Sequence, residues 1–228
     1  MLETAIIPKN LKQFYIIPLD KPGKDPTSCG GKRPIALLPS LMKMLELIIV
    51  RRILPIVSDI MSEDQYAYQR ARSTEILLAD LDHFVTTSRN KNKTVYLMGL
   101  DIAGAFDSAA HQKIIDSLEY FAVPVELQRF IGIWLTQRNF RMRLATPIGT
   151  VYSKRKGPTK GVPQGGVLSP LLWLLHIDRL SQLIKTEMIK AVPYKPSTWP
   201  LMIQIFADDA KERSSTGNHL DDEKGCSK

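Results

Sequence analysis

The sequence predicts an α+β fold, and three observations carry that expectation. Apolar runs of strand length are interspersed with stretches whose apolar residues recur at helical spacing. The chain has 228 residues, 44% of them hydrophobic, enough for one large domain or two small subdomains with a real core. Two of the strand-like runs end in acidic clusters, Asp101-Ile102-Ala103-Gly104-Ala105-Phe106-Asp107 and Ala207-Asp208-Asp209, and the first of these leads into a helix.

From the N-terminus, Phe14 to Leu19 reads as a strand, followed by a basic Lys/Pro/Gly loop from Asp20 to Gly31 and a short segment from Arg33 to Leu38. Ser40 can cap a helix running to about Val57, and Ser73 or Thr74 can cap another ending near Arg89-Asn90. Thr94 to Leu100 reads as a buried strand that delivers Asp101. Helices are expected over about Ala110–Phe121 and Val125–Gln137, parted near Pro124. Phe140 to Ala145 alternates apolar and basic residues, turns at Thr146-Pro147-Ile148-Gly149, and continues from Thr150 to Lys156 as a basic hairpin. Beyond Lys160-Gly161-Val162-Pro163-Gln164-Gly165-Gly166 comes an apolar helix, roughly Leu171 to Ile189, and then the strand Leu201–Phe206. From Lys211 to Lys228 only Leu220 and Cys226 are apolar, a composition expected of disorder.

Composition excludes several classes. The two cysteines, Cys29 and Cys226, lie near opposite ends and indicate neither a disulfide framework nor a zinc site, and the four histidines lack metal-ligand spacing. The apolar run Leu45 to Val50 stops at Arg51-Arg52, too short for a membrane span, and no signal peptide opens the chain. An intracellular, soluble protein is expected, nuclear or cytoplasmic. The formal charge is +8, from 31 Lys and Arg against 23 Asp and Glu, which makes a polyanion the first partner to consider. Charges cancel within 211–228, so the excess belongs to the remainder.

The acidic clusters carry the chemistry. Carboxylates at buried strand ends are costly unless a cation compensates their desolvation. Three of them drawn from two strands could hold paired Mg²⁺ ions for in-line phosphoryl transfer. An isolated Asp-Asp pair would ordinarily be a solvated turn; apolar flanks and the counterpart at Asp101 favour the metal reading.

Taken in order, these segments resemble the reverse transcriptase domain, most closely that of non-LTR (LINE-type) retrotransposons. The resemblance rests on Arg33-Pro34-Ile35-Ala36-Leu37-Leu38, on Gln65 to Tyr68 with Arg72-Ser73-Thr74, and on Leu100-Asp101-Ile102 with Ala105-Phe106-Asp107. It continues through Gly161-Val162-Pro163-Gln164-Gly165-Gly166-Val167-Leu168-Ser169-Pro170 to Phe206-Ala207-Asp208-Asp209. It implies a right-hand polymerase fold with fingers and palm but no thumb: a fingers-like portion over 1–94, a palm-like portion over 95–210 with a basic hairpin insertion at about 138–160, and a divergent tail over 211–228. It also implies an RNA-directed DNA polymerase acting on an RNA template, a DNA primer and deoxynucleoside triphosphates, with two Mg²⁺ ions or Mn²⁺ in their place.

By the same resemblance Asp101, Asp208 and Asp209 are the catalytic acids, and with Ile102 they form the metal-holding set. Asp107 is either a supporting acid or a helix cap. Phe106 is either a sugar gate that excludes the 2′-hydroxyl or a core residue behind the strand. Gln164 and Gly165 are assigned to the incoming nucleotide and template, although glycines alone could mean only a loop. Arg33 and Lys21 are the expected triphosphate contacts, Arg33 foremost because its planar fork matches phosphate; Lys24 reads better as a solvated charge. Arg138, Arg141, Arg143, Lys154 and Arg155 are expected on nucleic-acid phosphates, with a merely soluble surface as the competing reading. Because Lys211 to Ser215 lacks the alternation of a return strand, a truncated or frame-disrupted copy is expected, with little processive activity. A group II intron-type maturase, an RNA-dependent RNA polymerase and a catalytically silent RNA-binding remnant stand as alternatives.

Overall fold

The computed structural model describes residues 6–69, 71–97, 99, 102 and 104–191. The expected catalytic acids Asp101, Asp208 and Asp209, the expected strand Leu201–Phe206 and the tail from Lys211 lie outside the described residues.

Strand β1 (Gln13–Asp20) pairs antiparallel with β2 (Lys32–Leu37), joined by the loop whose end is a short 3-10 turn, Cys29–Gly31. Helix α1 (Ser40–Val57) follows at once. Pro39 rather than Ser40 occupies its N-cap, since the fixed φ of proline suits the extended residue before a helix, and no side chain caps it. Helix α2 (Thr74–Asn90) has Ser73 as its N-cap, with the hydroxyl accepting from Ile76 N–H. The single-turn α3 (Ala105–Ser108) starts after Gly104, whose φ of +60° lies in the left-handed region. Helices α4 (His111–Tyr120) and α5 (Val125–Thr136) pack on each other. Strands β3 (Asn139–Thr146) and β4 (Gly149–Tyr152) form the expected hairpin, and α6 (Ser169–Ala191) packs on α4.

The expected hairpin is joined to the first two strands: β3 runs parallel to β1, Gln13 opposite Asn139 through Ile16 opposite Met142, which completes a four-stranded sheet of order β2-β1-β3-β4. One expectation differs from this arrangement. Residues 93–97 form no strand, and Tyr96 and Leu97 are exposed. A strand exists only through a partner, and among the described residues no strand pairs with this segment.

One sheet face and the helices share a core. Phe14 of β1 meets Phe140 of β3 with ring centroids 5.8 Å apart. Met42, Ile49, Ile53 and Val57 line the buried stripe of α1, and Phe130, Ile131, Trp134 and Leu135 that of α5. Leu171 to Leu175 of α6 are all buried, so this helix starts enclosed on every side.

Candidate nucleotide-handling site

Three of the expected substrate-binding residues, Phe106, Gln164 and Gly165, meet where the 161–166 loop passes between α3 and β2. On one side Gly161 N–H donates to Ala109 O and Val162 N–H to Phe106 O, both at 2.7 Å. On the other, Ala36 N–H of β2 donates to Gln164 O at 2.6 Å. Two glycines make this passage possible. Gly161 (φ +83°) has no room for a Cβ, which would stand 2.8 Å from Asp107 O, and Gly165 (φ +104°) would bring one to 2.8 Å from Ala36 O. The glycines of this segment are therefore required by close backbone approach.

Threaded in this way, the loop sets Gln164 beside Asp107, its amide donating to the carboxylate over a long 3.4 Å. Partial burial pushes the Asp107 carboxyl up from its ordinary range, and the positive charge of Lys21 draws it back down. Lys21 reaches this neighbourhood from the end of β1, where its N–H donates to Gly31 O at 2.8 Å. Arg33 sits on β2 in register with Leu19 and is half-buried. Phe106 is 9% exposed, packed within the core against Trp173 at 5.9 Å between ring centroids. Ile102 is exposed.

The loop is also held from below, by residues to which the sequence reading gave no role. Glu46, fully buried on α1, accepts from Val167 N–H at 2.6 Å, Leu168 N–H at 3.2 Å and Trp134 Nε1–H at 3.1 Å. It thereby satisfies backbone donors just ahead of α6 that no helical carbonyl can reach. Burial pushes its carboxyl up, and the Val167, Leu168 and Trp134 bonds together with the Arg138 charge oppose that shift. Its signal in the sequence is a lone acid in the apolar stripe Met42, Glu46, Ile49, Ile53. His111 Nε2 stands 3.0 Å from Gly161 O, a second tie on the loop.

Arg138 departs from its expected place. It is 4% exposed, its guanidinium lies 4.4 Å from the centre of the Trp134 ring, and it donates to Leu135 O at 3.3 Å and Gly161 O at 3.2 Å. Burial lowers its pKa to about 10 while the Glu46 charge raises it, so it stays cationic at neutral pH, as an internal strut of the loop. A buried guanidinium cannot meet a phosphate backbone. The remaining hairpin cations keep to the outside: Arg143, Lys154 and Arg155 are exposed and Arg141 half-buried.

Among the described residues no group of three acids, histidines or cysteines could hold a metal ion. Of the expected metal-holding set, Asp101, Asp208 and Asp209 are outside the described residues, and Asp107 offers one carboxylate nearby in sequence. No helix among the described residues is long and apolar enough to cross a membrane.

The chain is 30% identical, over 92% of its length, to the RNA-directed DNA polymerase from mobile element jockey of Drosophila funebris, of which it covers 22%. It is 29% identical over 76% of its length to the probable RNA-directed DNA polymerase from transposon BS of Drosophila melanogaster, of which it covers 19%. It thus spans about a fifth of these relatives. The fold is similar to apo telomerase from Candida tropicalis truncated from its C-terminal domain, with a TM-score of 0.56 at 15% identity over 79% of this chain and 41% of that one. The family described as reverse transcriptase (RNA-dependent DNA polymerase) matches residues 19–221, from β1 past the second acidic cluster, and the chain belongs to that family.

Proposed function

We propose that this chain carries the nucleotidyl-transfer centre of a retrotransposon RNA-directed DNA polymerase, taking deoxynucleoside triphosphates, an RNA template and a DNA primer. The observation that carries the reading is the 161–166 loop, locked by backbone bonds to β2 and α3 so that Gln164 adjoins Asp107 with Lys21 nearby. Such a loop presents main chain and one amide to a nucleotide on a rigid base.

Asp101, Asp208 and Asp209, with Ile102, would hold two Mg²⁺ ions, which when bound stabilise charge on the attacking and leaving oxygens. The residues around them have separate tasks. Lys21 and Arg33 neutralise the triphosphate; Gln164 fixes the base pair at the loop; the edge of Phe106 bars a 2′-hydroxyl, its ring braced by Trp173. Arg141, Arg143, Lys154 and Arg155 hold template or primer phosphates.

Single-nucleotide addition to a primed RNA template in Mg²⁺ is the test. Addition that vanishes in Asp101→Asn, and that relaxes toward ribonucleotides in Phe106→Val, supports the reading. Addition that survives Asp101→Asn overturns it, and RNA binding without any Mg²⁺-dependent turnover favours a silent binding remnant.

A further inference from the structure

The sheet has a second face, and its residues differ from those over the core. Strand register places Tyr15 opposite Leu37 on one side and Arg141 on the other, and Arg143 opposite Tyr152. Residues opposite one another share a face, so Tyr15, Arg141, Arg143 and Tyr152 all project away from Phe14 and Phe140. The two tyrosines flank β3 and lean over it until their ring centroids are 5.7 Å apart, with the Arg141 guanidinium 5.8 Å from the Tyr152 ring. Both rings remain open, at 39% and 46% exposure. Arg141 Nε is enclosed with no hydrogen-bond partner among the described residues.

We propose that Tyr15 and Tyr152, with Arg141 between them, form a stacking platform for the bases of a single-stranded nucleic acid. This rests on the reading that the chain handles an RNA template, and adds to it two tyrosine rings that contact bases, beside the arginines assigned to phosphates. Open aromatic faces flanked by guanidinium groups are the chemistry that binds unpaired bases without regard to sequence. A duplex would offer them only its backbone. The surrounding charge suits the same occupant, since Arg143 shares the face with the rings, Lys154 and Arg155 follow Tyr152 along the hairpin with all three exposed, and the chain carries +8. A second copy of this chain is a poorer fit, because a two-fold interface would set Arg141 and Arg143 against their own equivalents. Position agrees too. Leu37, beside Tyr15, follows Ala36, which bonds Gln164 O, so the platform begins about two strand spacings, ~10 Å, from the loop.

The test measures anisotropy of a labelled single-stranded RNA of about a dozen nucleotides, and of the same backbone without bases, bound to the 228-residue chain over a salt series. Intact RNA is expected to bind about tenfold or more tightly than the abasic strand. Tyr15→Leu/Tyr152→Leu should bind the two strands alike with an unchanged salt slope, and Tyr15→Phe/Tyr152→Phe should restore the preference. Equal affinity of the unaltered chain for both strands would overturn the platform while leaving phosphate contact standing. Binding of neither would overturn the template reading as well. Loss of self-association in the leucine variant, with RNA affinity unchanged, would assign the face to a second copy and likewise overturn the platform.

Discussion

Removing the Glu46 carboxylate should unsettle the nucleotide-handling loop from a position that never touches it with solvent-exposed atoms. Glu46→Ala strips the acceptor from two backbone N–H groups, Val167 and Leu168, and from the Trp134 indole, and leaves the Arg138 cation without its nearby acid. Each buried donor left unpaired costs about 1–3 kcal/mol, and Arg138 loses the nearby negative charge as well. These overlap, because relief of the carboxylate's own desolvation offsets part of the loss; about 4 kcal/mol is the expected net destabilisation, a large share of the ~5–15 kcal/mol total for a domain. Urea unfolding followed by tryptophan fluorescence reads it directly, since Trp134 and Trp173 are both buried. Glu46→Gln adds the sign of the charge. The Glu46 pKa is raised above the ordinary 4.5, so the folded chain binds that proton more tightly than the unfolded one. Its contribution is therefore greatest below about pH 4.5 and declines as pH climbs through the folded value, whereas the amide is indifferent to pH. The stability gap between the unaltered chain and Glu46→Gln should then narrow as pH rises over that window. A loss under about 1 kcal/mol for Glu46→Ala would refute the reasoning, because it would mean the three donors find water or other acceptors at no cost.

Other perturbations separate the roles of neighbouring residues. Gly165→Ala forces a Cβ to 2.8 Å from Ala36 O at φ +104°, and should cost about 1–3 kcal/mol in thermal unfolding and weaken nucleotide addition further than stability alone accounts for. Arg138→Ala should destabilise the fold yet leave the salt dependence of RNA binding unchanged, whereas Arg143→Ala should keep the fold and lower the log–log salt slope by about 1. Ser73→Ala, which deletes the α2 cap, should lower stability by about 1 kcal/mol without altering RNA affinity.

Much of this was legible locally. Ser73 reads as a cap because a small hydroxyl ahead of an amphipathic run offers one of the few acceptors a helix start can use, and α2 begins where it predicts. The family resemblance led to the expectation that Gln164, Gly165, Phe106 and Lys21, separated along the chain, gather at one site, and the 161–166 loop does bond to Phe106 O and set Gln164 beside Asp107, whose carboxyl feels the Lys21 charge. Long-range relations were not legible. Nothing in the alternation of Phe140 to Ala145 reveals that β3 will run parallel to β1, because strand pattern fixes which face is apolar and leaves the partner open. Arg138 looked like one more cation in a basic stretch. It follows Gln137, the C-cap of α5, and the chain reversal there folds its guanidinium back over Trp134 and beneath the loop.

Several bonds cross residue 94, where the expected fingers-like portion (1–94) would meet the expected palm-like portion (95–210). The β1–β3 pairing, the Ala36 to Gln164 bond and the Glu46 bonds to Val167 and Leu168 all cross that boundary. Each joins the first portion to the loop or hairpin of the second, and the Glu46 bonds to Val167 and Leu168, part-buried and buried, are ones that water cannot replace cheaply. The loop that presents Gln164 is consequently positioned by both portions at once, with Glu46 and Arg138 setting its underside and Ala36 its flank. Movement of one portion relative to the other would have to break these bonds or carry the loop along. Under the proposed function, a hinge between the portions is therefore the less economical way for a nucleotide to be admitted, and adjustment of segment 21–30, exposed except for the half-buried Lys21 and, among the described residues, hydrogen-bonded within itself and to Gly31, is the more economical one.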